Sequence, residues 1–315
     1  MKSLFLSGKI IKFFFVYFTM CLSFFSEGKL KILTSTTSLK SLTELIAGDR
    51  VELNSILRGG QDPHFISPKP SYMLRARKSQ LLIFIGLDLE VGWLPSVISG
   101  SKNLKIQEGQ PGHLDASQFI KALSVSEGKV DRFFGDIHPY GNPHYLLDPL
   151  RAVQVSLGIT NKLIELDSQN KDYYLVNHKK FETKIKENMK LWRKRIKDSG
   201  IKNLVSYHSS FEYFLETFEI NLFGLIEEKP GIAPSAKHIM NLIKKMKENQ
   251  ISCIMMSSFY SPNKIGKIKN SIPVHIEVVD TEVGGIKKVK DYFELIEAFV
   301  QSFEKCGTFV KNQKL

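Results

Sequence analysis

No internal stretch of this chain approaches the roughly 20 apolar residues that a membrane helix needs. A bundle of spanning helices is therefore excluded. Cysteine is scarce as well. Of three, Cys21 sits in the N-terminal segment, which leaves Cys253 and Cys306 for the rest of the chain. They can supply one disulfide at most; two separate buried thiols fit equally well. No unit repeats at a fixed short period, which sets aside solenoids and propellers. No HExxH pair is present, so no local helical zinc motif can carry a hydrolase reading. Basic residues outnumber acidic ones, 44 to 32, but they are spread along helical segments and mixed with Glu and Asp. They do not alternate with aromatics as a strand-binding groove would require, so nucleic acid is not an expected partner.

The N-terminus has a different character. Lys2, Lys9 and Lys12 form a basic start, and Phe13–Phe25 (FFFVYFTMCLSFF) follows without a charge. This is the layout of a secretory signal peptide over residues 1–23, with Cys21-Leu22-Ser23 as a small-x-small cleavage site. Acylation of Cys21 is the lipoprotein alternative, although Phe18-Thr19-Met20 is a poor lipobox; an uncleaved anchor is the third. Each places the mature chain outside the cytoplasm, periplasmic or extracytoplasmic, where a Cys253–Cys306 bond could persist.

The 315 residues suffice for two domains, and 43% hydrophobic content can fill their cores. Short apolar or alternating runs read as strands: Leu30–Ser35, Val51–Leu57 and Leu81–Ile85, then Leu204–Tyr207, Ile220–Leu225, Ile251–Ser257 and Val274–Val279. Helical patterns lie between most of them. Ser38, Ser71, Asp148 and Ser235 read as helix N-caps, the third followed by a proline at the first helical position. Tyr173–Lys197 contains no breaker, and Phe181, Ile185, Met189, Trp192 and Ile196 form one stripe along it. At 1.5 Å per residue that is a rod of roughly 37 Å. The expected fold is α/β: two lobes, each with a small mostly parallel sheet flanked by helices, joined by one long backbone helix. The divisions fall at residues 24–165, 166–199 and 200–315. A long surface helix within one domain is the competing reading. Gly109–Asn142, rich in glycine and proline, is expected to be a long loop.

Three of the eight histidines stand at turn-rich junctions before helices: His64 in QDPHFISP, His144 in GNPHYLLDP, and His208 after the strand LVSY. In open α/β sheets, ligands bind beyond the carboxyl ends of strands. Asp280-Thr281-Glu282 puts two carboxylates at another such end. The intervals from His64 through His144 and His208 to Asp280 are 80, 64 and 72 residues, so only the fold can assemble such a site. Three imidazoles and one carboxylate suit four-coordinate zinc. Four protein ligands leave no position for an activated water, which fits capture rather than catalysis. A secreted hydrolase would need an open position and a general base, for which Asp62 or Glu282 would have to serve. His113, His178, His238 and His275 read as ordinary surface or capping residues.

At these residues the chain resembles the metal-specific solute-binding proteins of bacterial zinc and manganese ABC importers. The resemblance runs from about Leu30 to Phe303, through DPHFISPKPSYMLRARKSQLLIFIGLDLEVGWLP, GNPHYLLDPLRA, SYHSSFEYF, PGIAPSAKHIMNLIKKMKENQISCIM and DTEVGG…VKDYFELIEAF. It implies His64, His144, His208 and Asp280 as the zinc ligands, with Glu282 as the alternative carboxylate. It implies a non-enzymatic, monomeric carrier that hands its metal to a membrane permease. Manganese or iron instead of zinc, and a surface adhesin of the same fold, are the variants it leaves open. Many zinc members carry a histidine-rich loop. Here only His138 lies where that loop would end, either as an auxiliary capture ligand or as a plain loop residue. Cys253 and Cys306 fall where some zinc members are similar in carrying a disulfide.

Overall fold

A computed structural model describes residues 28–126, 138–229, 231–285 and 289–313. The expected signal peptide, with Cys21, lies outside these residues. Among the described residues no helix is long and apolar enough to cross a membrane.

Two parallel four-stranded sheets form the frame. The first runs β2 (Val51–Ser55), β1 (Leu30–Thr34), β3 (Leu81–Phe84), β4 (His113–Asp115). The second runs β6 (Asn221–Leu225), β5 (Asn203–Ser206), β7 (Cys253–Ser257), β8 (His275–Val279). Registers such as Leu30↔Val51 and Cys253↔His275 align the carboxyl ends of neighbouring strands. The inner strands β3 and β7 are covered on both faces and read as continuous apolar runs, LLIF and CIMMS. Along β1, Ile32 belongs to the inner core and Leu33 to an outer cluster with Trp93. Along β7, Met255 faces inward while Ile254 and Met256 pack outward with Leu242.

The helices are α1 (Thr37–Ala47), α2 (Pro70–Lys78), α3 (Leu94–Ser101), α4 (Pro149–Leu166), α5 (Lys171–Ser199), α6 (Glu212–Thr217), α7 (Ala236–Glu248), α8 (Gly266–Ser271) and α9 (Tyr292–Asn312). The long expected helix is α5. Its stripe Phe181, Ile185, Met189, Trp192 and Ile196 is buried, and the inner cores of both sheets are continuous through it. α9 lies along α5. The Trp192 indole donates to Glu297 at 2.9 Å, and the Arg195 guanidinium grips Glu304 at 2.7 and 2.8 Å. Planar two-point pairing of this kind fixes orientation as well as distance. Cys253 at the start of β7 is joined to Cys306 in α9 by a disulfide.

Four expectations need correction. α1 is capped by Thr36, whose hydroxyl accepts from the Leu39 amide at 3.3 Å; Ser38 lies inside the helix. α2 starts at Pro70 rather than after Ser71, since proline at the first helical position supplies the starting φ. β2 ends at Ser55, short of Leu57. The expected loop Gly109–Asn142 contains β4, which pairs with β3 through Leu82↔His113. Three residues on a sheet edge are too few to show alternation. Residues 127–137 of that loop lie outside the described residues.

Candidate metal centre

Each of the three histidines is held in place, His64 and His144 by a residue of their own turn and His208 by a residue beyond the neighbouring strand. Asp62 accepts the His64 backbone amide at 3.1 Å and its ring Nδ1 at 2.7 Å. The Trp93 indole pins the same turn through the Pro63 carbonyl, at 2.9 Å. Asn142 accepts the His144 amide at 2.9 Å. Its own side-chain amide crosses to the second lobe, to the Ser209 carbonyl at 2.7 Å and Glu212 at 3.0 Å. His208 follows β5, and its Nδ1 lies 2.9 Å from Glu227, which follows the neighbouring strand β6. His208 and Glu227 are both buried.

These restraints turn the three rings toward one point. Ring centroids are 5.2 Å apart for His64–His144 and 5.5 Å for the other two pairs. One ligand atom from each lies within 4.8 Å of the other two. The Nε2 atoms of all three are buried with no hydrogen-bond partner. The carboxylates beside Nδ1 of His64 and His208 favour the tautomer that leaves Nε2 as the metal-binding nitrogen. Buried polar atoms are ordinarily satisfied. Three that converge unsatisfied ask for a cation. The edge of a zinc tetrahedron built on nitrogen is about 3.3 Å, so small ring movements suffice.

Burial and then the neighbouring imidazoles His64, His208 and His138 push His144 well below the ordinary histidine range. It is therefore neutral and competent as a ligand without needing to lose a proton. Burial alone would raise the Asp62 carboxyl, but its bonds to His64 outweigh that and hold it below the usual carboxylate value. A carboxylate spent on orienting His64 is poorly placed to act as a general base.

The carboxylates of the last loop separate. Asp280 is buried at the carboxyl end of β8, with its carboxyl group over Gly285, where an added Cβ would come within 2.2 Å of it. It is not part of the three-histidine group drawn from the described residues. Glu282 is engaged with α1 instead, accepting from the Ser38 amide at 2.8 Å. His138 stands beside the cluster, its ring centroid 5.3 Å from that of His64. The other four histidines lie elsewhere. His113 bonds to the Ile106 carbonyl, His178 to Ser156, His238 to the Leu225 carbonyl and His275 to Glu277.

Sequence reasoning missed the positioning carboxylate Glu227, and read Asp62 only as a possible base. The Asp-x-His spacing of residues 62–64 was a usable signal. Glu227 offered none, because it meets His208 only through the pairing of β5 with β6. Converting it to an amide is expected to weaken metal binding about 10–100-fold, the usual effect of losing such a partner. Equilibrium titration of Glu227→Gln against the unaltered protein measures it; equal affinities would dismiss the role.

Two α/β lobes on one long helix, with clustered imidazoles between them, define the class of metal-capturing transport proteins. The chain belongs to the family of zinc-uptake complex component A, periplasmic (ZnuA), whose model matches residues 32–306. Its members are metal-binding components of ABC transporters. The chain is 23% identical to the high-affinity zinc uptake system protein ZnuA of Bacillus subtilis, over 84% of this chain and 83% of that protein. It is also 23% identical to the manganese ABC transporter substrate-binding lipoprotein PsaA of Streptococcus pneumoniae, over 80% of each. A crystal structure of ZnuA superposes with a TM-score of 0.75 at 23% identity, covering 89% of this chain and all of that one, which establishes the shared fold.

Proposed function

We propose that this chain captures one zinc ion outside the cytoplasm and delivers it to the membrane permease of an ABC importer, without catalysing a reaction. The observation that carries the reading is the convergence of three buried, unpartnered Nε2 atoms from His64, His144 and His208. Zinc takes neutral imidazole readily, whereas manganese favours oxygen donors. Asp280 is the fourth ligand, drawn in from the carboxyl end of β8 as the ion arrives. His138, against His64, serves as an auxiliary imidazole during capture. The working parts divide as residues 24–165, 166–199 and 200–315, after removal of a signal peptide over 1–23, and the carrier acts as a monomer.

Titration of the metal-stripped protein with zinc and with manganese, followed by elemental analysis, tests this. One zinc per chain, retained in the presence of excess manganese, is expected. Tight manganese with weak zinc would reassign the metal, and the absence of any stoichiometric metal would end the reading.

A further inference from the structure

The loop that carries Asp280 is fastened to the opposite lobe by a residue outside the histidine cluster. Glu282 reaches α1 and accepts the Ser38 backbone N–H at 2.8 Å and the Thr37 hydroxyl at 3.2 Å. The leading N–H groups of a helix have no acceptor inside it. Thr36 satisfies that of Leu39, and Glu282, 244 residues away from Ser38, satisfies that of Ser38. The positive end of the helix dipole favours a carboxylate there. The Val283 amide adds a bond to the Ser38 hydroxyl at 3.4 Å, and the Tyr292 amide one to the Ser41 hydroxyl at 3.0 Å.

The same loop touches the first lobe a second time. A Cβ added to Gly59 would lie 2.0 Å from the Gly284 carbonyl and 2.5 Å from the Gly285 nitrogen, so the two backbones are in direct contact. Gly59 leads into the turn of His64. Gly285 in turn supports the Asp280 carboxyl group. One chain of contacts thus runs from α1 through Glu282 to Gly285 and Asp280.

We infer that Glu282 is a positioning residue for metal capture: its carboxylate at the start of α1 holds the Asp280 loop across the cleft and so sets how fast the metal leaves. This rests on the metal-binding reading above. The histidines have their own supports in Asp62, Asn142 and Glu227, so loss of the clasp leaves their cluster assembled. Dissociation, rather than stoichiometry, is the quantity Glu282 controls.

Zinc-loaded protein is mixed with excess chelator in a stopped-flow instrument, with Glu282 and its Ala and Gln variants each made in the Asp280 and Asp280→Asn backgrounds. Glu282→Ala is expected to keep one zinc per chain and release it about tenfold faster, the scale of a lost charge-assisted hydrogen bond. Glu282→Gln, which retains an acceptor oxygen, should fall between Ala and the unaltered protein. In the Asp280→Asn background Glu282→Ala should change release by less than about twofold, because coupled residues act non-additively. Thr37→Val, which removes one donor and leaves the loop sequence intact, should accelerate release in the same direction and carries the test if the Glu282 variants do not fold. Unchanged release in Glu282→Ala, or equal acceleration in both backgrounds, overturns the clasp while leaving the metal site standing. Failure of the unaltered protein to bind zinc at all overturns both.

Discussion

Replacing His144 with alanine should abolish tight metal binding while leaving the metal-free protein folded. Loss of a supporting partner of a ligand costs about 10–100-fold in affinity, so loss of a ligand itself should exceed about 100-fold. The side chain makes no hydrogen bond through its buried Nε2, and it crowds two other rings at 5.2 and 5.5 Å. Its removal from the empty site therefore relieves facing lone pairs rather than breaking a network. The backbone anchor from Asn142 stays in place. Thermal unfolding separates the two effects. The melting temperature of the unaltered protein should climb with added zinc, since a ligand that binds only the native state stabilises it by mass action; that of His144→Ala should not.

The pH dependence has a defined sign. Burial holds the folded-state pKa of His144 well below its ordinary value of 6.5. Below about pH 6.5 the unfolded chain takes up a proton that the native chain refuses, so this residue's contribution lowers stability as pH falls toward the depressed folded value. The alanine variant should lose that part of the acid slope. A variant that keeps its zinc response, or that melts far below the unaltered protein without metal, would contradict the role given to His144.

The frame was legible because it depends on periodicity. The stripe from Phe181 to Ile196 repeats at helical spacing over about four turns, and it is the buried face of α5. The apolar runs became strands because burial on both faces demands continuous hydrophobicity. The histidines stood out because turns beyond strand ends are where such folds place ligands. Much of what stayed hidden shares a cause: contacts made across the sheet or across the cleft leave no local pattern. Glu227 finds His208 through strand pairing, 19 residues away. Glu282, read as a reserve ligand, finds α1 instead. Thr36 rather than Ser38 caps α1, and the neighbouring hydroxyls of the run Thr36-Thr37-Ser38 gave no means of choosing among them.

The Cys253–Cys306 bond is the second large effect, and it bears on stability rather than on affinity. The two residues are 53 apart in sequence and both are buried. Closing a loop of that length constrains the unfolded chain by about 4 kcal/mol in the chain-entropy description. For a protein of this size, that corresponds to a fall on the order of 8 °C in melting temperature for the double variant Cys253→Ser, Cys306→Ser. The native contacts beside the bond do not depend on it. α9 is also held through Arg195 to Glu304 and through Ser302 to Glu277 at 2.9 Å. The three clustered histidines, the proposed metal ligands, come from loops that α9 does not carry. The serine variant should therefore melt earlier yet still bind one zinc per chain, and reductant should bring the unaltered protein to the same melting temperature. Coincident melting curves with and without reductant would show that the helix contacts alone set the stability of this lobe. A loss of zinc stoichiometry in the serine variant would show instead that the tether reaches the metal loop, whose last described residues lead directly into α9.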